Sequence, residues 1–461
     1  MSKQKRELPV QENHTYEFII NDLSHQGLGV SRVEGYPVFI ENALPGEKVT
    51  AKITHAGRRM GHAFTVEVLE KSPHRVEIID AIHMQSGTMP LQHLAYEEQL
   101  KFKQGQVEKM LEKVGGLKDI PVFETLGMDE PFGYRNKAQI PVRTVQGELS
   151  TGFYKKRTHT LIPMEDFVIQ HPEIDAAIVK VRDILRQHNA TAYHENSHTG
   201  DIRHVIVRRG HFTEEVMIII VTRTNSLPNA NEIIEAIRET IPNVVSIVQN
   251  INPDKTNVIL GKQAMVLYGQ DFYTDELMGH TFKISHQSFY QVNSPQTEKL
   301  YSVAVDYANL TGDEVVVDAY CGIGTMTLAL AEKAKEVYGV EIIPQAIENA
   351  KTNAEDNNIS NIHYDVADAG DWLVKQAKAG LEVDVVVVDP PRKGLSTEFI
   401  DSVIEMKPER MVYVSCNPST LARDLKLLSE GGYTVEKVQP VDMFPQTYHI
   451  ECVALMSRIE E

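Results

Sequence analysis

The chain is predicted to be an α/β protein. Its C-terminal part reads as a doubly wound, Rossmann-like sheet, preceded by a small OB-like β-barrel and an α+β central region. Three observations predict this. Continuous Val-rich strands alternate with helices from about residue 294 onward, as in a sheet covered on both faces. Short apolar–polar runs broken by Gly fill residues 16–69, the pattern of a small closed barrel. Between these regions, strand-like and helix-like pieces mix without a regular period.

The barrel strands fall at 17–20, 27–30, 36–40, 48–53 and 64–69, with a turn at Pro45-Gly46 and a basic loop at Gly57-Arg58-Arg59-Met60-Gly61-His62. A helix is expected over 95–114, ended by Gly115-Gly116. The central region offers strands at 138–142, 205–207, 216–221 and 246–248, and helices at 174–188 and 230–240. In the last region the strands 314–318, 336–340, 384–388, 411–415 and 452–456 are expected to pair in parallel, with helices at 325–334 and 344–357 between them. Three domains follow: 1–70, 71–285 and 286–461.

A length of 461 residues, 42% hydrophobic and 24% charged, suits a protein with full cores. The basic start lacks the apolar core of a signal peptide, and no run of ~18 uncharged apolar residues occurs. Three cysteines cannot build a disulfide framework, which fits a reducing, cytoplasmic setting. The net charge of −18 excludes a protein that coats nucleic acid through its average field. Any such contact must rest on local clusters: Arg58-Arg59, Lys155-Lys156-Arg157 and Arg208-Arg209. Each, taken alone, reads as a solvated surface feature.

Two constellations carry chemistry. Strand, then Asp318-Ala319-Tyr320-Cys321-Gly322-Ile323-Gly324-Thr325, then helix, is a turn that lets backbone approach a ligand beside a helix N-terminus. Glu341 closes the next strand, 341 − 318 = 23 residues later, placed to accept hydrogen bonds from a ribose diol. Asp318 would repel a pyrophosphate but attract a cationic amino-acid tail, which favours S-adenosylmethionine over a dinucleotide. Asp365 and Asp368 stand either at an adenine or at a helix N-cap. The second constellation is Asp389-Pro390-Pro391-Arg392-Lys393-Gly394 with Val414-Ser415-Cys416-Asn417-Pro418, both closing strands. Cys416 at a strand tip faces the crevice and can act as a nucleophile. Glu451, just before the last strand, is the better base of the pair His449 and Glu451. Cys321 and Cys452 read as structural thiols.

These segments resemble the RNA uracil-5-methyltransferase family, in its bacterial 23S ribosomal RNA branch. Ser288-Phe289-Tyr290-Gln291-Val292-Asn293, Tyr134-Arg135-Asn136-Lys137-Ala138-Gln139 and Gly152-Phe153-Tyr154 match as well, so the resemblance covers essentially the whole chain. It implies an N-terminal TRAM barrel that binds RNA, and a central RNA-binding domain whose helix near 95–125 packs with a Rossmann-like methyltransferase domain. It places Gln291, Tyr320, Glu341 and Asp389 at the S-adenosylmethionine site, beside Asp318, Gly322 and Asp368. It makes Cys416 the nucleophile that adds to carbon 6 of the uracil and Glu451 the base that removes the carbon-5 proton. The partner implied is RNA, 23S ribosomal RNA first, with no membrane and no obligate protein partner. Many family members hold an iron–sulfur cluster on four cysteines. Residues 80–93 contain none, and Phe167 stands where the last ligand is expected, so no cluster and no other metal is expected.

Three other readings share parts of this pattern. A 5-methylcytidine enzyme typically carries a second cysteine after the Pro of the Asp-Pro-Pro segment, where this chain has Pro391-Arg392. A transfer RNA methyltransferase, or a non-catalytic RNA-binding or ribosome-assembly factor, would share the fold. The full set Cys416, Glu451 and Asp389 speaks against a mere binder.

Overall fold

Residues 8–459 are described by the computed structural model; the basic opening residues lie outside them. Among the described residues no helix is long and apolar enough to cross a membrane. The chain forms two compact units. One runs up to Gln106 and takes in Phe444–Tyr448, and the other runs from Val107 to Met443 and resumes at His449.

In the first unit six strands pair in the order Thr15–Ile19, Lys48–Ala56, Gly61–Glu70, Tyr36–Glu41, Gly29–Val33 and Asp22–Leu23. The two end strands are joined only by Ile20 and Asn21, so the sheet has to curl until its edges meet, as a barrel requires. Lys48–Ala56 alternates buried and half-buried positions along most of its length. Its Val49, Ala51 and Ile53 meet Phe18, Val38 and Ile40 in the barrel core. Arg58 and Arg59 are exposed in the turn before Gly61. Segment Phe444–Tyr448 belongs to this unit through a reciprocal amide pair. Gln99 Nε2 donates to Gln446 Oε1 at 3.0 Å, and Gln446 N donates to Gln99 Oε1 at 3.1 Å.

In the second unit, the central sheet orders as Gln263–Gly269, Val244–Ile251, Val216–Thr222, Ile202–Arg209, Lys137–Val145, Glu148–Tyr154 and Leu161–Pro163. Helices Pro172–Gln187 and Ala230–Thr240 belong to the same region. Phe167 is fully buried here, its ring edge-on to Phe153 at 4.7 Å. The pair Arg208-Arg209 departs from the sequence expectation of a solvated cluster. Its strand lies between two others, and the two residues are 2% and 4% exposed. Arg209 is neutralised by Glu173 at 2.7 Å and Glu214 at 3.2 Å.

The C-terminal sheet contains β1 (Val315–Ala319), β2 (Glu336–Glu341), β3 (Ile362–Val366), β4 (Val385–Val388), β5 (Arg410–Ser415), β6 (Tyr433–Val441) and β7 (Glu451–Arg458), ordered 3-2-1-4-5-7-6. Helices α1 (Ser294–Ala308), α2 (Thr325–Ala331), α3 (Pro344–Asp356), α4 (Ala369–Ala379), α5 (Thr397–Met406) and α6 (Pro418–Glu430) lie between or before the strands. β4 is Val-Val-Val-Val and wholly buried, as a strand covered on both faces must be. One strand departs from the expected parallel arrangement, since β7 runs antiparallel between β5 and β6. No helix bridges β6 and β7, and a parallel neighbour would need a crossover. The reversal matters for the site. It brings the first residue of β7 to the edge where the parallel strands end.

Candidate active site

The strand order changes direction between β1 and β4, and open α/β sheets bind ligands at that switch point, outside the carboxyl ends of the strands. The cofactor-side residues expected from the sequence gather there. Asp318, near the end of β1, is 2% exposed and accepts a 2.6 Å hydrogen bond from Thr327 Oγ1 on α2. The turn that follows is tight. Tyr320 N and Cys321 N both donate to Val340 O, at 2.9 and 3.1 Å. Tyr320 itself has φ +70°, and Gly322 and Gly324 have φ +56° and +86°. A non-glycine residue held in that region stores strain that the surrounding bonds must sustain. The Tyr320 ring leans on Phe399 at 5.9 Å.

Glu341 bridges two loops, accepting from Gly322 N at 3.3 Å and from Ile343 N at 3.0 Å. Beside it Ile342 and Ile343 are exposed. Asp368 caps α4, accepting from Gly370 N at 2.9 Å and Asp371 N at 3.3 Å, while Asp365 accepts from Trp372 Nε1 at 2.7 Å. Both aspartates therefore have structural partners within the chain.

Burial pushes Asp318 up to about 7, with Asp389 and Glu341 adding to it and the Thr327 hydroxyl opposing it. Burial alone brings Asp389 to about 7. Among the described residues no cation forms an ion pair with Asp318, Glu341 or Asp389. A folded-state value raised above the unfolded one stabilises at low pH, and that contribution is lost as pH rises through the folded value. Asp318→Asn keeps an acceptor for Thr327 and removes the charge. We expect it to raise the melting temperature of the cofactor-free chain, with a gain that grows from about pH 5 to about pH 7 and then levels. Thermal melts across that range check this, and a gain that shrinks with pH would contradict it.

The second constellation expected from the sequence lies one strand further. β5 ends at Ser415, which pairs in register with Cys452 of β7. Cys416 and Glu451 therefore follow as the next opposed positions at the sheet edge. Cys416 is half-buried and Glu451 is 4% exposed. Asn417 caps α6 through a 3.1 Å bond from Ser419 N, which sets the thiol at a helix N-terminus. The Asp389 loop is clamped to the same helix. Asn417 Nδ2 and Thr420 Oγ1 donate to Arg392 O at 3.1 and 3.3 Å, and Arg423 Nη2 donates to Lys393 O at 3.0 Å. Fully buried Asp424 accepts from Leu395 N at 2.8 Å and Tyr413 Oη at 2.7 Å.

Burial, then the charges of Glu451 and Asp389, push the Cys416 thiol up to about 11, with Arg392 opposing. Burial and Asp389 hold Glu451 well above the usual carboxylate range, and Arg392 again opposes. Arg392 is thus the cation that acts on both groups.

Three contributors were not legible as site residues in the sequence. Thr327 and Tyr301 are helical residues, and Arg392 reads there only as a place where no second cysteine stands. Tyr301 is 4% exposed, its phenol 3.3 Å from Thr325 Oγ1. Burial raises that phenol, with the charges of Asp389 and Asp318 adding to it and the Thr325 hydroxyl opposing. Gln291 is fixed from behind, its carbonyl accepting from Asn136 Nδ2 at 2.9 Å.

Residues 95–459 match the model of the tRNA (Uracil-5-)-methyltransferase family, and residues 9–66 match that of the TRAM domain. A protein of Enterococcus faecalis named as an uncharacterized RNA methyltransferase is 52% identical over 450 residues, covering 98% of both chains. A Lactiplantibacillus plantarum protein of the same name is 52% identical over 455 residues, covering 98% of this chain and 99% of its own. Among solved structures, the Pyrococcus abyssi tRNA (uracil-54, C5)-methyltransferase in complex with S-adenosyl-L-homocysteine superposes with a TM-score of 0.76. It is 27% identical, covering 95% of this chain and 99% of that one.

Proposed function

The chain belongs to the tRNA (uracil-5-)-methyltransferase family, and from that premise we propose that it methylates carbon 5 of a uridine in 23S ribosomal RNA through a covalent Cys416 adduct. The observation that carries the reading is the placement of Cys416, the residue after β5, opposite Glu451, the first residue of β7, with Asp389 acting on both.

The residues at the switch point suit S-adenosylmethionine. Buried carboxylates without a cationic partner match its positive charge, Glu341 matches a ribose diol, and exposed Ile342 and Ile343 offer an apolar face to adenine. We assign Asp318, Gly322, Tyr320 and Gln291 to the amino-acid side, Glu341 to the ribose, Asp368 to the adenine end and Asp389 to the reacting end. When bound, that cofactor supplies an electrophilic methyl group.

The chain's own residues do the rest. The Cys416 thiolate adds to carbon 6, and the electron pair of the ring double bond moves towards carbon 5 and the neighbouring carbonyl, making carbon 5 nucleophilic. After methylation the Glu451 carboxylate takes the carbon-5 proton. The released pair re-forms the double bond and expels the thiolate. The thiol sits at about 11 in the cofactor-free chain, so adding positive charge to this acidic cluster favours the reactive form.

The choice of ribosomal RNA is supported by the TRAM domain, and the setting proposed is the cytoplasm. The Pyrococcus likeness favours transfer RNA as a second reading. Mapping 5-methyluridine across total RNA from cells with and without the protein separates them. Loss of a 23S site supports the first reading and loss confined to transfer RNA the second. No change in either would overturn both.

A further inference from the structure

Inside the second unit, two cations face each other with no acid between them. Lys137 and Arg208 are directly opposed in the antiparallel pairing of Lys137–Val145 with Ile202–Arg209, an arrangement of like charges that costs stability. Arg208 cannot turn away. Its Nη1 donates to Ser285 O at 2.6 Å, its Nη2 donates to Ser288 O at 2.9 Å, and its guanidinium lies 5.5 Å from the Tyr273 ring centroid. Its Nε is buried without a hydrogen-bond partner, as is Nε2 of His286. Lys137 is half-buried, and among the described residues no carboxylate pairs with it. Burial, Arg208 and Arg135 together bring its ammonium down to about 7. Asp275, the buried acid of the hairpin formed by Phe272–Leu277 and His280–Ser285, is already engaged by Phe212 N at 2.9 Å and Tyr290 Oη at 3.1 Å.

We propose that Lys137, backed by the charge of buried Arg208, forms an anion site that takes a backbone phosphate of the substrate RNA. This rests on the reading of the chain as an RNA methyltransferase. Two further observations point to RNA. Asn136, which precedes Lys137, is bolted to the Gln291 segment, with its N donating to Val292 O at 2.8 Å and its Nδ2 to Ser294 Oγ at 3.1 Å. The charge pair therefore lies against the 286–293 segment that leads into α1. On that same segment Phe289 is 68% exposed, one residue after the carbonyl that holds Arg208. An exposed ring beside an unneutralised charge pair suits a base stacked next to its own phosphate. The other anion of suitable chemistry is the carboxylate of the cofactor, and the experiment distinguishes the two.

The full-length protein is compared with Lys137→Gln and Lys137→Arg. Binding of a short fluorescein-labelled oligouridylate is followed as a function of salt, and binding of S-adenosyl-L-homocysteine by equilibrium dialysis. Losing one phosphate contact to a single strand is expected to flatten the slope of log affinity against log salt by about 0.7 in Lys137→Gln. Lys137→Arg should restore it, and homocysteine-cofactor affinity should stay within about twofold, consistent with a contact that the cofactor does not make. Inorganic phosphate should raise the melting temperature of the wild type and not of Lys137→Gln. An unchanged salt slope in Lys137→Gln overturns the site, and lost cofactor binding with an intact slope reassigns it to the carboxylate. Should Lys137→Gln fail to fold, acetylation of Lys137 in the wild type decides. Protection by oligouridylate and by phosphate supports the site, and absence of protection overturns it. If no RNA becomes methylated while the slope and phosphate effects hold, the proposed function fails and the anion site stands.

Discussion

Cys416→Ala is expected to abolish 5-methyluridine formation, by a factor on the order of 10⁴ or more, while leaving the fold and cofactor binding in place. Carbon 5 of a pyrimidine becomes nucleophilic only once carbon 6 carries an electron-donating adduct, and alanine cannot form one. The change is small for the fold. Cys416 is half-buried at a strand tip rather than in the core, so a stability cost of about 1 kcal/mol or less is expected. RNA containing 5-fluorouridine supplies the direct measurement, because fluorine cannot leave as a proton and the adduct persists. With S-adenosylmethionine the wild type should shift on a denaturing gel together with its RNA, and Cys416→Ala should not. Normal methylation by the variant, or an adduct that survives in it, removes Cys416 from the reaction.

Much of the architecture is written locally. The Val-rich strands β1, β4 and β5 and the turn Asp318–Thr325 are legible because strand, glycine turn and helix follow one another within a few residues. The edge position of Cys416 follows from the same short-range pattern. Glu451 is different. Its placement opposite Cys416 depends on β7 running against its neighbours, which alternation of apolar residues does not encode; the sequence offers it only as the carboxylate of the pair His449 and Glu451 just before the last strand. The pair Arg208-Arg209 misleads for a related reason. Two adjacent arginines read as a surface cluster, yet burial is decided by strands and acids far away in sequence, Glu173 and Glu214 for Arg209 and the 285–288 carbonyls for Arg208. Thr327 and Tyr301 escape notice because a helix interior is where threonine and tyrosine are most ordinary. The N-capping reading of Asp368 is realised in α4, and an aspartate's second oxygen carries no label in sequence. Phe167, which stands at the position the resemblance assigns to an iron–sulfur ligand, is packed against Phe153.

Replacing Glu451 by Gln separates the two halves of the reaction. The amide matches the carboxylate in size but cannot accept the carbon-5 proton, so the methylated adduct should form and then stall. Multiple turnover is expected to fall by about 10²- to 10⁴-fold, with covalent enzyme–RNA complex accumulating on ordinary uridine-containing RNA and no such accumulation expected in the wild type. The same change has an electrostatic consequence of known sign. The Glu451 charge is one of the causes that raise the Cys416 thiol. Removing it lowers the thiol, and alkylation of Cys416 by iodoacetamide should move to lower pH in the variant. Burial keeps Glu451 well above the ordinary carboxylate range, so its ionisation in the folded chain costs stability as pH rises through that raised value. Glu451→Gln should therefore melt no lower than the wild type at alkaline pH. Slow turnover without accumulated adduct would place Glu451 before the methyl transfer instead, as a partner of the thiol rather than the base that ends the cycle.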